Sequence, residues 1–368
     1  MVSGKAIEGA PVPALRTSGS RFDGAKGIKE LAESGLLTSI PPTHAFPPDP
    51  TASNLSSSSI EEQLPTIDFS FLQAKEAVVR SKAIRDLGEA GAEWGFFRLV
   101  NHGVPESLMK GMLDLAKDFF DLPAEERKKY TGKQVLDPIR YGTSFNILVE
   151  EQVFCWRDFL KVIVHPSFHS PEIPAAFREI AAEYSKRVQQ IARELFKGIS
   201  ESLGLQSCYI ERAFKLEEGL QILICNYYPR CPQPELAMGL TPHSDHGGLT
   251  VLMQDEVGGL QLKHKGNWVL VRPLPNTFVV NVGDHLEILS NGIYKSVEHR
   301  AVVNDATARI SIALAHGPSL DASVSPATQL AENGGQAVAY REMPYREYLE
   351  FQQSHRLGGK SCLNLVRL

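Results

Sequence analysis

The sequence predicts an α+β protein with a mainly β core, an antiparallel sandwich or barrel braced on one side by helices. Three observations carry this. Between residues 76 and 203, apolar residues recur at helical spacing over long stretches. Beyond Gly219 the texture changes to seven short apolar runs separated by turn residues. The chain has 368 residues, 43% hydrophobic and 22% charged, enough of an ordinary globular composition to bury a sizeable core.

Charge and composition exclude several classes of function. A net charge of −5 without a long Lys/Arg run argues against a nucleic-acid surface. No stretch approaches the roughly 20 apolar residues of a membrane span, and the N-terminus has no secretory or convincing transit pattern. Cys155, Cys208, Cys225, Cys231 and Cys362 are odd in number, scattered and without a CxxC, which reads as reduced thiols in a cytoplasmic protein, expected to be a monomer.

In chain order, residues 1–60 carry few regular signals. A short helix within Lys26 to Leu37 is followed by a Pro- and Ser-rich stretch that reads as linker or irregular covering. Leu64 to Phe69 reads as a strand, Glu76 to Trp94 as a helix stopped by Gly95, and Phe96 to Val100 as a strand. A turn containing His102, read as a structural hydrogen-bonding residue, leads into a helix over Glu106 to Phe120. Tyr141 to Trp156 is aromatic and irregular. A long amphipathic helix spans Pro174 to Leu203, with Ile180, Tyr184, Val188, Ile191 and Leu195 on one stripe. The seven strands are Leu220 to Tyr228, Gly248 to Met253, Gly259 to His264, Trp268 to Val271, Thr277 to Val282, Lys295 to Val303 and Ala308 to Ala315. Met343 to His355 closes the chain as a helix.

The chemistry centres on Thr241-Pro242-His243-Ser244-Asp245. On extended backbone, residues two apart face the same way, so His243 and Asp245 share one opening. His299 lies far downstream, after strands able to fold back. Two imidazoles and one carboxylate on one face of a metal leave other positions open, as in non-haem Fe(II) oxygenases. A lone His-x-Asp is a weak signal in a chain of 11 histidines, so the neighbours matter. Arg309 and Ser311 alternate on one strand face, and a guanidinium fork with a hydroxyl suits a carboxylate. Tyr228 is a third candidate for the same group.

The strings NYYPRCPQPELAMGLTPHSDHGGLTVLMQD, NVGDHLEILSNGIYKSVEHRAVVN and ARISIA, with EWGFFRLVNHGVP and DFFDLPAEERKKY upstream, resemble the plant 2-oxoglutarate- and Fe(II)-dependent dioxygenases over roughly residues 60 to 360. The resemblance implies a distorted double-stranded β-helix, a jelly roll, with flanking helices. It divides the chain into an irregular extension (1–60), a helical N-terminal part (61–218), the catalytic core (219–325) and a C-terminal helix and tail (326–368). It implies Fe(2+) on His243, Asp245 and His299. It places 2-oxoglutarate on Arg309, Ser311 and Tyr228, with Asn226 near the chelating end, and implies ascorbate as a stimulant. His246 matches no family ligand.

The implied reaction consumes O2 and 2-oxoglutarate, gives succinate and CO2, and hydroxylates, demethylates or desaturates a small-molecule substrate. A metal-dependent hydrolase and a small-molecule receptor are the alternatives. The carboxylate anchor argues against the first and the intact triad against the second. On the substrate side, Ala313 and Ala315 follow Ser311 on the same strand face, where flavonoid-oxidising members commonly carry Phe at the Ala315 position. Tyr141, Phe145, Ile147, Phe154 and Leu240 are expected to form the opposite, apolar wall, which suits a largely hydrophobic substrate.

Overall fold

Short runs rich in Val, Ile, Leu and aromatic residues form the strands. They are β1 (Thr66–Asp68), β2 (Phe96–Val100), β3 (Ile139–Thr143), β4 (Asp158–His165), β5 (Gln221–Tyr228), β6 (Leu240–His243), β7 (Leu249–Gln254), β8 (Leu260–His264), β9 (Asn267–Val271), β10 (Phe278–Val282), β11 (His299–Ala301) and β12 (Arg309–His316). A small pair, β13 (Ser323–Val324) and β14 (Met343–Pro344), lies near the C-terminus. The helices are α1 (Ile28–Glu33), α2 (Ala77–Glu93), α3 (Glu106–Asp121), α4 (Phe177–Ser202), α5 (Asp284–Leu289), α6 (Tyr345–Ser354) and α7 (Ser361–Val366), with single turns at Phe69–Leu72, Ala124–Lys128 and Tyr209–Ala213. The structure is a computed structural model and describes residues 27–35, 37–47, 64–132, 134–144, 153–330, 337–354 and 361–368. Among them, no helix is long and apolar enough to cross a membrane.

The strands assemble into an eight-stranded sheet, ordered β1-β2-β10-β7-β12-β5-β4-β3, and a four-stranded sheet, ordered β6-β11-β8-β9. Every pairing within them is antiparallel except β1 with β2. One face of the large sheet is closed by helices. Met112, Leu115 and Phe119 of α3, with Val188 and Leu195 of α4, share a core with Leu160, Leu223, Val251, Val280 and Leu314 of the strands. Burying a Leu-sized side chain contributes about 1.5–3 kcal/mol, so this layer anchors the fold. The other face meets the small sheet: Phe96, Leu252 and Val279 pack on Leu260, Leu262, Val269 and Val271. Toward β12, β5 and β4 the two sheets enclose a cavity instead. This matches the jelly-roll expectation.

Several local expectations shift. The aromatic stretch after residue 138 begins with β3, an edge strand whose pairing with β4 supplies hydrogen bonds that Arg140 and Gly142 do not advertise. Neither β3 nor β4 was expected. β11 is shorter than Lys295 to Val303. The Lys295 N–H donates to the Gly91 carbonyl (3.1 Å) and the Ser296 N–H to Glu287 (2.7 Å), so residues 295 and 296 are held by helices rather than by a strand. Gly95 ends α2 at φ +63°, where any Cβ would also collide with the Lys295 carbonyl. The N-terminal segment is more than loose covering. Ile28 and Ile40 are buried with Trp156 and Tyr228, and the N–H groups of Ile28 and Lys29 donate to Asp158 (2.9 and 3.1 Å).

Candidate active site

β6 ends on His243, and its antiparallel register sets His243 opposite His299 of β11. Cross-strand partners share a face, and the two imidazole centroids are 4.2 Å apart. Asp245 lies beyond the end of the strand, so alternation alone does not aim it. The N-terminus of α5, a helix the sequence reading missed, does part of that work. The Asp284 N–H donates to the Asp245 carbonyl (2.7 Å) and the His285 N–H to the Gly247 carbonyl (3.0 Å). Gly283 permits the approach, because a Cβ there would collide with the Gly247 carbonyl. Asn281 Nδ2 then donates to Asp245 Oδ2 (2.8 Å), leaving Oδ1 at 3.7 Å from Nε2 of both histidines.

The tautomers follow from the partners. His243 Nδ1 is 2.8 Å from the Thr241 carbonyl and His299 Nδ1 is 3.2 Å from the Val297 carbonyl. A carbonyl only accepts, so each ring donates from Nδ1 and turns an Nε2 lone pair toward Asp245. Burial, with His299 beside it, pushes His243 down to about 3, keeping it neutral. For Asp245 burial acts upward, but the two imidazoles and Asn281 outweigh it and hold the carboxyl below its usual range. The three ligand atoms lie within 4.8 Å of one another. Two neutral nitrogens and an ionised oxygen, each oriented by a neighbour, fit a divalent transition metal.

Register also brings the second group together. Arg309 pairs with Tyr228, and Ser311 with Asn226, across β12 and β5. Arg309 is 2% exposed, and its guanidinium lies 4.8 Å from the Tyr228 ring centre. Nη2 donates to Gln254 (2.9 Å), whereas Nε and Nη1 have no hydrogen-bond partner. Buried donors left unmatched are costly, and a carboxylate entering the cavity would supply their acceptors. Asn226 Nδ2 donates to Ser311 Oγ (3.3 Å), and its Oδ1 accepts from Arg157 (3.1 Å). Both this cluster and the triad line one cavity. A dicarboxylate held at one end by Arg309 fits that arrangement.

The expected substrate wall is only partly there. Leu240, Ala313 and Ala315 line the cavity. Tyr141 does not: Arg140 takes the cavity side of β3, so Tyr141 turns to the helical face. There its hydroxyl accepts from Arg127 (2.9 Å) and donates to Asp158 (3.3 Å). Phe154 sits against His44 of the N-terminal segment, ring centroids 5.8 Å apart, and is not among the cavity-lining residues. Phe145 and Ile147 lie outside the described residues. In their place stand Arg157 just before β4, Lys161 and Ile224 of the large sheet, and Gln352 and Gln353 of α6. Lys161 was legible as one lysine inside an apolar strand, had β4 been recognised. His246 also reaches the cavity, its Nδ1 2.7 Å from the Tyr345 hydroxyl.

Comparisons with known proteins agree with this geometry. Residues 219–318 match the 2OG-Fe(II) oxygenase superfamily, and residues 64–180 match the family described as non-haem dioxygenase in morphine synthesis N-terminal. The rice 2-oxoglutarate-dependent dioxygenase 19 is 48% identical over 306 residues, 83% of this chain and 90% of that protein. Codeine O-demethylase of Papaver somniferum is 38% identical over 349 residues, covering 93% and 95%. Among solved structures, JOX2 in complex with 2OG, Fe and JA superposes with a TM-score of 0.82 at 32% identity, covering 93% of this chain and 98% of that one. The rice dioxygenase for auxin oxidation gives 0.70 at 26% identity, covering 83% and 100%. These relatives support an oxygenase and neither the hydrolase nor the receptor alternative. On these relatives, and with a His-Asp-His cluster able to hold a metal ion in its cavity, the chain belongs to the 2OG-Fe(II) oxygenase superfamily and is a dioxygenase that uses Fe(II) and 2-oxoglutarate.

Proposed function

We propose that His243, Asp245 and His299 hold the Fe(II), and that Arg309, Ser311 and Tyr228 hold the far carboxylate of 2-oxoglutarate with Asn226 near its chelating end. The observation that carries this is the Arg309 guanidinium, buried with two unmatched N–H donors in the same cavity as the triad. Bound iron supplies the oxidising power, turning O2 and 2-oxoglutarate into succinate, CO2 and attack on a substrate C–H bond. The protein's share is placement. Thr241 and Val297 fix the imidazoles, Asn281 and α5 fix the carboxylate, and the apolar side chains Leu240, Leu252, Ala313 and Ala315 exclude water and hold the substrate body.

The substrate that suits this lining is a small, largely hydrophobic metabolite, oxidised by hydroxylation, demethylation or desaturation in specialised metabolism. All five cysteines are free thiols, which suits a cytoplasmic protein. The test measures succinate formed from 2-oxoglutarate with Fe(II) and ascorbate, over a panel of small metabolites. His243→Ala and His299→Ala should fold, as judged by circular dichroism, and release no succinate above background. Full turnover by either variant in metal-stripped buffer would remove the metal assignment.

A further inference from the structure

The cavity face of the large sheet carries a row of residues in register: Arg140 of β3 opposite Lys161 of β4, Lys161 opposite Ile224 of β5, and Ile224 opposite Ala313 of β12. Residues paired across antiparallel strands share a face, so the row runs from the cavity floor to two cations at its edge. Both cations, and Arg157 just before β4, gather on one ring. Arg157, Arg140 and Lys161 lie 5.0, 5.2 and 5.4 Å from the Phe159 centroid. Arg140 is 2% exposed, and none of its three guanidinium nitrogens has a hydrogen-bond partner. A recess lined by Arg140, Lys161, Ile224, His246 and Gln353 opens beside the main cavity and shares the last four with it.

Three cations around one ring, Arg140 and Arg157 buried and Lys161 half-buried, repel each other. Burial first, then Arg157, pushes Arg140 down to about 10, and burial with both arginines pushes Lys161 well down. The charges facing them offset this only in part. Asp137 lies in the recess and attracts Arg140, but its Oδ2 already accepts from the Gln134 N–H (2.9 Å). Asp245 acts on Lys161 from a distance but is committed to the imidazoles. His246 also faces the recess, its Nδ1 engaged with the Tyr345 hydroxyl (2.7 Å). An unmatched buried guanidinium fork beside an ammonium is the donor set that recognises a carboxylate. Arg309 provides such a set at a different place, on β12.

We propose that Arg140 and Lys161, with Arg157 beside them, form a second carboxylate position that takes the acidic end of the oxidised substrate, whose apolar body lies over Ile224 and Ala313. This rests on the dioxygenase reading above. It refines the substrate class from a hydrophobic metabolite to a hydrophobic acid.

The test titrates enzyme loaded with Mn(II) and saturating 2-oxoglutarate, under nitrogen, with phenylacetate, 4-phenylbutyrate and decanoate, each beside its primary amide. At least one acid should bind tenfold or more tighter than its amide. Lys161→Met and Arg140→Leu should each bring that ratio below threefold, and Arg140→Lys should retain part of it. Without ligand, Arg140→Leu should melt no lower than the parent, because it relieves like-charge repulsion; a purely structural arginine would give a lower melting temperature. Equal binding of every acid and amide by the parent enzyme, or a preference that survives both substitutions, overturns the proposal. Metal-dependent binding of 2-oxoglutarate by the parent, measured first, tests the underlying reading separately. Its absence would sink that reading, and its presence without acid preference would sink only the second position.

Discussion

On β12, Ile312 and Leu314 point into the helical layer, while Arg309, Ser311, Ala313 and Ala315 point into the cavity. The same division runs through β5, where Leu223 and Cys225 join the helical core and Ile224 and Asn226 line the cavity. The helical face is filled by apolar side chains from α3, α4 and the strands, and it draws its stability from burial. The cavity face holds Arg309, with Nε and Nη1 unmatched, and Arg140, whose three guanidinium nitrogens have no hydrogen-bond partner in the protein. Such groups cost stability until a ligand matches them. Since the two faces belong to the same strands, a rigid apolar layer fixes the position of each polar group on the other side. Substitutions on the two faces should therefore fail in different ways.

The largest separation is expected at Arg309. Arg309→Leu should raise the KM for 2-oxoglutarate by about a hundred- to several-thousandfold. Removing one partner of a buried charge pair costs about 3–5 kcal/mol, at about 1.4 kcal/mol per decade. Iron affinity should change little, and the melting temperature should hold or rise, because the two unmatched donors it removes outweigh the one hydrogen bond to Gln254. An unchanged KM would place the dicarboxylate elsewhere. The converse change is Leu314→Ala, on the helical face of the same strand. Leu314 is fully buried between Leu223 and Val251, so a cavity there should cost about 2–5 kcal/mol of stability. Urea unfolding would show the loss, while the KM for 2-oxoglutarate of the folded enzyme stays within twofold. A stable Leu314→Ala with a shifted KM would mean that the two faces are not independent.

The same division explains what the sequence disclosed. Helical periodicity exposed α2, α3 and α4, and alternation exposed the strands after Gly219, because one-sided burial writes itself into local pattern. The His243, Asp245, His299 and Arg309 positions stood out as chemistry in a motif. Asn281 did not, since an asparagine inside Phe278–Val282 is noticed only once β10 is seen to run beside Asp245. α5 is short, and its role depends on where its N–H groups land rather than on its composition. β3 and β4 were hidden for another reason. Their cavity face carries Arg140, Phe159 and Lys161, so the apolar alternation that marks a half-buried strand is broken where the cavity needs charge. Tyr141 was consequently assigned to the wrong side.

The smallest expected effect tests how far the cavity face extends along β12. Ala315 pairs with Ile222 on one side and Thr250 on the other, and lines the cavity beyond Ala313. Its methyl group leaves room that a larger side chain would occupy. Ala315→Phe adds an aromatic ring on the cavity face without touching the helical layer, so folding should be preserved. Arg309 and Ser311 lie further along the strand toward its start, so affinity for 2-oxoglutarate should stay within about twofold. Overpacking costs about 1–3 kcal/mol in a filled space, which corresponds to a fall in substrate turnover of about five- to a hundredfold. The measurement is product formation and 2-oxoglutarate affinity for this variant on the substrate found in the panel. If the substrate lies over Ile224 and Ala313 with its acid toward Lys161, product should fall while succinate formed without product rises, because the C–H bond is displaced rather than the cosubstrate. Undiminished product would show that the substrate keeps away from this end of β12, and the apolar contact would then be sought along Leu240 and Leu252.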